Sequence, residues 1–169
     1  MGKKKNQKKA ETQAKKSAVE TLRFQAHWGL KQLGQPEGNR LHQLVDGELD
    51  IIAELELAQD LLAIKSLVDG VRQNISAVPT KEQGDFAKSP TAIAIAIGIA
   101  SINEFEEISM SPTWNELLKQ KLLRIYYSDE VWNKVVDWAK ANGYNTSTYL
   151  GRPILKFGKV FVIIERTRS

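Results

Sequence analysis

Apolar positions recur along this chain in two rhythms, one helical and one extended. Val19, Leu22, Ala26, Leu30 and Leu33 fall three and four residues apart. That spacing makes one stripe of a helix over about 10–33. Gly34 suits the residue just past its end, and Gln35 to Asn39 read as a loop. Arg40 to Val45 is short and ambiguous, and Asp46-Gly47 reads as a break. A second helical pattern then predicts one long helix over about 48–76. Leu57, Leu61, Ile64, Val68, Val71 and Ile75 form its seam, Ile51, Leu55 and Leu62 a second strip, and Asp69-Gly70 an interruption point. Asp46, Glu48, Asp50, Glu54, Glu56 and Asp60 are expected on its outer, acidic face.

The extended rhythm is clearest in the uncharged run from Pro90 to Ile102. Ile93, Ile95, Ile97 and Ile99 alternate with Ala94, Ala96, Gly98 and Ala100. Alternation is the period of a strand, and the pattern predicts a central strand at 92–100. The rival is a buried helix opened by Ser89 as N-cap and Pro90 at the first helical position. The apolar run is about half the ~20 residues of a membrane-spanning helix, so no membrane span is expected. Ile154 to Phe157 and Val160 to Glu165 are two β-rich runs about Gly158-Lys159, a two-residue hairpin loop. Between these landmarks, 77–89 reads as a loop and 108–112 as a short edge strand. Ser111-Pro112 opens a helix at 112–125. Ser128 caps a helix at 129–141, ended by Asn142-Gly143, and 146–151 holds at most one turn.

The fold class expected is α+β: long N-terminal helices with a small mixed sheet that includes a C-terminal β-hairpin. The alternative is a mostly α protein with residues 90–106 as a buried helix. Residues 1–9 read as a basic disordered arm, and 10–169 as a single globular domain.

Charge changes the picture because it is segregated. Residues 1–16 carry a net +6, from seven Lys and one Glu. Residues 151–169 carry +4, although the whole chain is only +4. The body between is therefore acidic, at −6. A run of Lys neutralises phosphates and releases counterions, which gives sequence-independent, salt-sensitive affinity. The expected grip on a nucleic-acid backbone comprises Lys3, Lys4, Lys5, Lys8, Lys9, Lys15, Lys16 and Arg23 at one end. At the other it comprises Arg152, Lys156, Lys159, Arg166 and Arg168. The function expected is a non-catalytic, sequence-independent nucleic-acid-binding protein, a small subunit of a nucleoprotein assembly. Its partners are then RNA or DNA and other protein subunits, itself among them. One alternative is a structural assembly protein whose basic arm meets acidic surfaces. A third reading is a small metal-independent ribonuclease using Tyr149, Arg152, Lys156, Glu165 and Arg166.

Other chemistry has little to stand on. The chain has no Cys and two His, and nothing is spaced for a metal. Phosphate-binding loops, nucleophile elbows and zinc-protease motifs are absent, so no cofactor is expected. The N-terminal Lys residues are not followed by an apolar signal core, and a cytoplasmic location is the expectation. A winged-helix outline, with 146–150 as recognition helix and the hairpin as wing, fails on the length of that helix. The hairpin is expected instead in the sheet that carries the Ile/Ala strand. Trp114, Trp132 and Trp138 are expected in the core, and Trp28, beside Phe24 and the basic flank of Arg23, His27 and Lys31, in core or interface packing, with stacking on a base as the alternative.

Overall fold

The computed structural model describes residues 2–81, 91–101 and 121–167, with 2–8 described as backbone alone. Helices α1 (Gly2–Gln32), α2 (Arg40–Glu54), α3 (Ala58–Ile75) and the short α4 (Ala92–Ala96) come first. Strand β1 (Leu122–Ser128), helix α5 (Asp129–Ala141) and strands β2 (Thr146–Tyr149), β3 (Arg152–Phe157) and β4 (Val160–Thr167) follow. The fold is α+β. The sheet runs β1-β4-β3-β2; β1 and β4 are parallel, and the other neighbours are antiparallel. The expected segment at 108–112, most of that at 112–125, and Trp114 lie outside the described residues.

Helix α1 has two halves. From Ala18 to Leu30 it packs: Ala18, Leu22, Ala26 and Leu30 are buried against α2, α3 and α4. Lys9 to Ser17 are exposed on every side. The helix nevertheless begins at Gly2, earlier than the apolar stripe predicts. Lys, Gln and Ala carry little helix penalty, so a formed helix can propagate back through them without a core beneath. Its end follows the sequence. The N–H of Gln35 bonds Leu30 O at 2.9 Å and that of Gly34 bonds Lys31 O at 3.0 Å, with Gly34 at φ 80°. This is the Schellman pattern, in which glycine takes the left-handed position without a Cβ penalty. Leu33, expected in the stripe, lies in this turn and is exposed.

The long helix expected at 48–76 is two helices. Asn39 opens α2 by accepting from the N–H groups of Leu41 and His42, and Asp46-Gly47 passes through without a break. The interruption falls at Leu55-Glu56-Leu57. Leu57 N–H bonds Ile52 O and Glu56 N–H bonds Ala53 O, a second Schellman turn, with Glu56 in the left-handed position at φ 59°. Neither Gly nor Pro marks it, which is why the sequence hides it. The seam of α3 is otherwise as spaced: Leu61, Ile64, Val68 and Val71 are buried.

The Ile/Ala run is the largest correction. It is not a strand of the sheet. Residues 92–96 form α4 and the chain then turns through Gly98 at φ 80°. Alternation identifies a strand only when one side of the segment meets water. Here Ile93, Ala94, Ile95, Ala96 and Ile97 are all buried, so small and large residues alternate inside one core. The N-cap is Thr91, whose hydroxyl accepts from Ala94 N–H. Glu48 supplies the rest. It is 3% exposed, and its Oε1 and Oε2 accept from the N–H groups of Ala92 at 3.2 Å and Ile93 at 2.8 Å. The expected place of Glu48 on an outer acidic face is therefore wrong. Close approach of α1 completes the packing: a Cβ on Gly29 would overlap the carbonyl oxygen of Ala96.

Leu122 to Ser128, of which the first part was expected in a helix, instead form β1, which lies at one edge of the sheet parallel to β4. Lys121 at φ 51° precedes the strand. Thr80 N–H bonds Tyr126 O at 2.7 Å, so the chain after α3 lies along β1 and occupies part of its open edge. Helix α5 matches its expected bounds, and the N–H of Trp132 bonds Ile164 O of β4 at 3.1 Å. Trp132 and Trp138 pack on the core as expected. Residues 146–149 are a strand rather than a turn of helix, so no recognition helix precedes the hairpin. The hairpin belongs to the sheet.

Tyr127, on β1, is buried, and its hydroxyl has no hydrogen-bond partner among the described residues. Burial raises its pKa above the ordinary phenol value of about 10. The folded state then resists losing that proton while the unfolded chain does not. Stability is lost as pH rises above about 10, at a slope of about 1.4 kcal/mol per unit for one group. Tyr127→Phe removes both costs. The expected result is unchanged or slightly raised stability at pH 7, by up to about 1 kcal/mol, and a shallower alkaline limb in urea titrations.

Candidate nucleic-acid interface

Of the cations expected to grip phosphate, Arg152, Lys159 and Arg166 pair with acids of the fold, while Lys156 is exposed and, among the described residues, contacts only a ring. Arg152 Nε lies 3.2 Å from Glu165, whose other neighbour is Arg124 at 4.0 Å. Arg166 Nη1 pairs with Asp129 at 3.2 Å and its guanidinium stacks on the Trp132 ring at 4.0 Å. Lys156 Nζ sits 5.7 Å from the centre of the Phe161 ring. It does not face Glu165, because its register partner is Phe161. Asp129, Trp132, Arg152, Glu165 and Arg166 border a cleft of about 460 Å³. Three of the residues weighed for ribonuclease chemistry, Arg152, Glu165 and Arg166, thus border one cleft, and of these Arg152 and Glu165 pair. Tyr149 faces Arg152 across β2 and β3 and is exposed. The Glu165 carboxylate is engaged as an ion pair.

The hairpin tip is fastened to the helical layer. Lys159 N–H donates to Asp60 Oδ2 at 3.1 Å and Lys159 Nζ lies 3.4 Å from Glu56. Lys15 of α1 reaches the same carboxylate at 3.0 Å. The hydrogen bond and charge of Lys15, then those of Lys159, hold the Glu56 carboxyl below the usual carboxylate range. The two basic ends of the chain therefore meet at one exposed acid. Gly158 permits this: its φ is 57°, and a Cβ there would overlap the Asp60 carboxylate.

Arg23, expected in the phosphate grip, and its neighbour His27 are also engaged. Arg23 Nη1 donates to Asp46 at 2.9 Å and Arg23 Nε lies 3.6 Å from Glu20. His27 Nε2 contacts the same Asp46 oxygen at 2.7 Å. The His27 ring stacks on buried His42, their Nδ1 atoms in contact, and His42 Nε2–H donates to Gln35 O at 3.2 Å. Lys31 pairs with Glu37 at 3.6 Å.

The N-terminal half of α1 differs. Lys9 and Lys16 are exposed and have no acidic partner among the described residues. Lys15 is tied only by an exposed pair. The backbone carrying Lys3, Lys4, Lys5 and Lys8 continues the same helix, while their side chains, like Arg168, lie outside the description. Further along, Phe24 and Trp28 are 71% and 57% exposed, so Trp28 is not in the core. Their helical spacing was legible in the sequence; their exposure was not. Among the described residues, no group of three or more His, Asp or Glu is placed to hold a metal ion, and no helix is long and apolar enough to cross a membrane. Compared with known proteins, the chain matches no family model, no curated protein and no solved structure, so its geometry alone carries the functional reading.

Proposed function

We propose that the protein is a sequence-independent nucleic-acid-binding subunit of a nucleoprotein assembly, and that the N-terminal half of α1 is its grip. One observation carries this reading. Residues 9–17 are exposed all round, and two of their three Lys make no ion pair among the described residues, whereas Arg152, Lys159 and Arg166 each pair with an acid of the fold and leave Lys156 as the hairpin cation without one. An exposed ion pair such as Lys15–Glu56 is worth about 0–1 kcal/mol, so a phosphate can displace it. The hairpin cations then act as a secondary basic border. A Lys ammonium is a mobile point charge suited to a phosphate and poorly suited to reading a base edge.

Neutralising the two unpaired lysines tests the reading. With Lys9→Gln/Lys16→Gln, affinity for a mixed-sequence RNA or DNA falls about 10-fold at 0.1 M salt. The slope of log affinity against log salt falls by about 1.4 to 1.8. Fluorescence anisotropy across a salt series measures both. If affinity and slope stay unchanged, α1 is not the grip.

A further inference from the structure

We infer that the exposed rings of Phe24 and Trp28 form a base-stacking platform, which makes single-stranded nucleic acid the ligand class of the α1 surface. This rests on the phosphate-binding reading above and adds what that reading leaves open. Phe24 and Trp28 lie four residues apart, so they share one side of α1, about 6 Å apart along its axis. That side is turned away from Leu22, Ala26 and Leu30, which are buried. Lys9, Gln13, Lys16 and Glu20 precede the rings at spacings of three and four, and all four are exposed. Glu20 is the one acid among them, and Arg23 lies 3.6 Å from it. Cations and aromatic faces thus follow one another along a single helical stripe.

The chemistry narrows the ligand. Phe has no polar atom and gains nothing from a phosphate. A partner that engages both kinds of group must offer apolar π-faces within reach of negative charge. A nucleotide strand does so only when its bases are unpaired, because in a duplex they are stacked at about 3.4 Å and present edges alone. A base on an aromatic ring is held in a sequence-tolerant way, as every base has a face to offer. Ring-bearing positions about 6 Å apart along the helix axis are spaced more widely than the duplex repeat and suit bases drawn out of a stack.

The test compares the full chain with Phe24→Ala/Trp28→Ala on a 20-nucleotide oligo-uridine, an oligo-thymidine and a duplex of the same length. Both rings are exposed, so the variant folds, and its circular dichroism should match the parent. The expected result is at least a 10-fold loss of affinity for the single strands, with duplex affinity and the salt slope unchanged. Trp28→Phe should retain most of the single-strand affinity. Equal losses on single strand and duplex, or no loss on either, overturn the platform while leaving the phosphate grip standing. A parent that binds neither at low salt overturns both. If the rings instead govern binding to vesicles of anionic phospholipid, or self-association seen by light scattering, with single-strand affinity untouched, they serve another surface and the inference is wrong.

Discussion

Replacing Glu48 by alanine should lower stability by about 3 kcal/mol, because two backbone N–H groups at the start of α4 lose their acceptor inside the core. A helix begins with N–H groups that have no partner in the preceding turn. At an exposed helix start, water takes them. At Ala92 and Ile93 water is excluded, since both residues are fully buried. Glu48 presents one oxygen to each. Its removal also leaves space where its side chain packed between α2 and α4. For a chain of this length the loss corresponds to a melting temperature lower by roughly 6–12 °C. Glu48→Gln keeps one oxygen acceptor and turns an N–H₂ toward the other donor, so it should fall between the two. Urea unfolding of the three proteins orders them. Equal stability of parent and Glu48→Ala would mean that the α4 N-terminus finds another acceptor.

Gly29→Ala should be the second severe change, at about 2 kcal/mol destabilising. In an isolated helix the same change is favourable by about 1 kcal/mol. The sign reverses because the new methyl group meets the Ala96 carbonyl oxygen. That atom is backbone, fixed within α4, and cannot swing aside as a side chain does. Relief requires α1 and α4 to separate, which loosens the burial of Leu22, Ala26 and Leu30 on one side and Ile93 on the other. Gly34→Ala is the control. Gly34 has φ 80° and open space around it, so alanine there costs only the left-handed conformation, about 1 kcal/mol. A thermal melt in which the two variants lose equal stability would show that the α1–α4 contact yields to the added methyl group.

These two positions also mark the boundary of what the chain discloses before it folds. Elements that face water on one side were legible. The stripe of α1, the seam of α3, the bounds of α5 with its Asn142-Gly143 stop, and the hairpin about Gly158-Lys159 all declare themselves through local pattern and turn chemistry. Elements enclosed on all sides were not. The Ile/Ala run alternates like a strand, yet nothing in alternation distinguishes strand from helix once every side chain is buried. Its conformation is decided by Glu48, 44 residues earlier, which satisfies the N–H groups of a helix. The turn at Glu56 carries no Gly; its backbone hydrogen bonds close it, and its carboxylate meets Lys15 and Lys159, one from each end of the chain.

The same division applies to the candidate interface. Charge segregation is a property of the sequence, and it made both the N-terminal lysines and the hairpin cations candidates. Only the tertiary structure separates them, because ion pairs depend on which acids the fold brings near. Asp129, Glu165 and Glu56 come to Arg166, Arg152 and Lys159, while Lys9 and Lys16 make no ion pair with any acid described. Likewise an aromatic pair at helical spacing is compatible with core or surface. The direction of the α1 stripe, set by where Leu22, Ala26 and Leu30 find their partners, leaves Phe24 and Trp28 facing outward. Composition and period are local quantities and can be read along the chain. Partnership and exposure are relations between distant residues, and they exist only once the chain has folded.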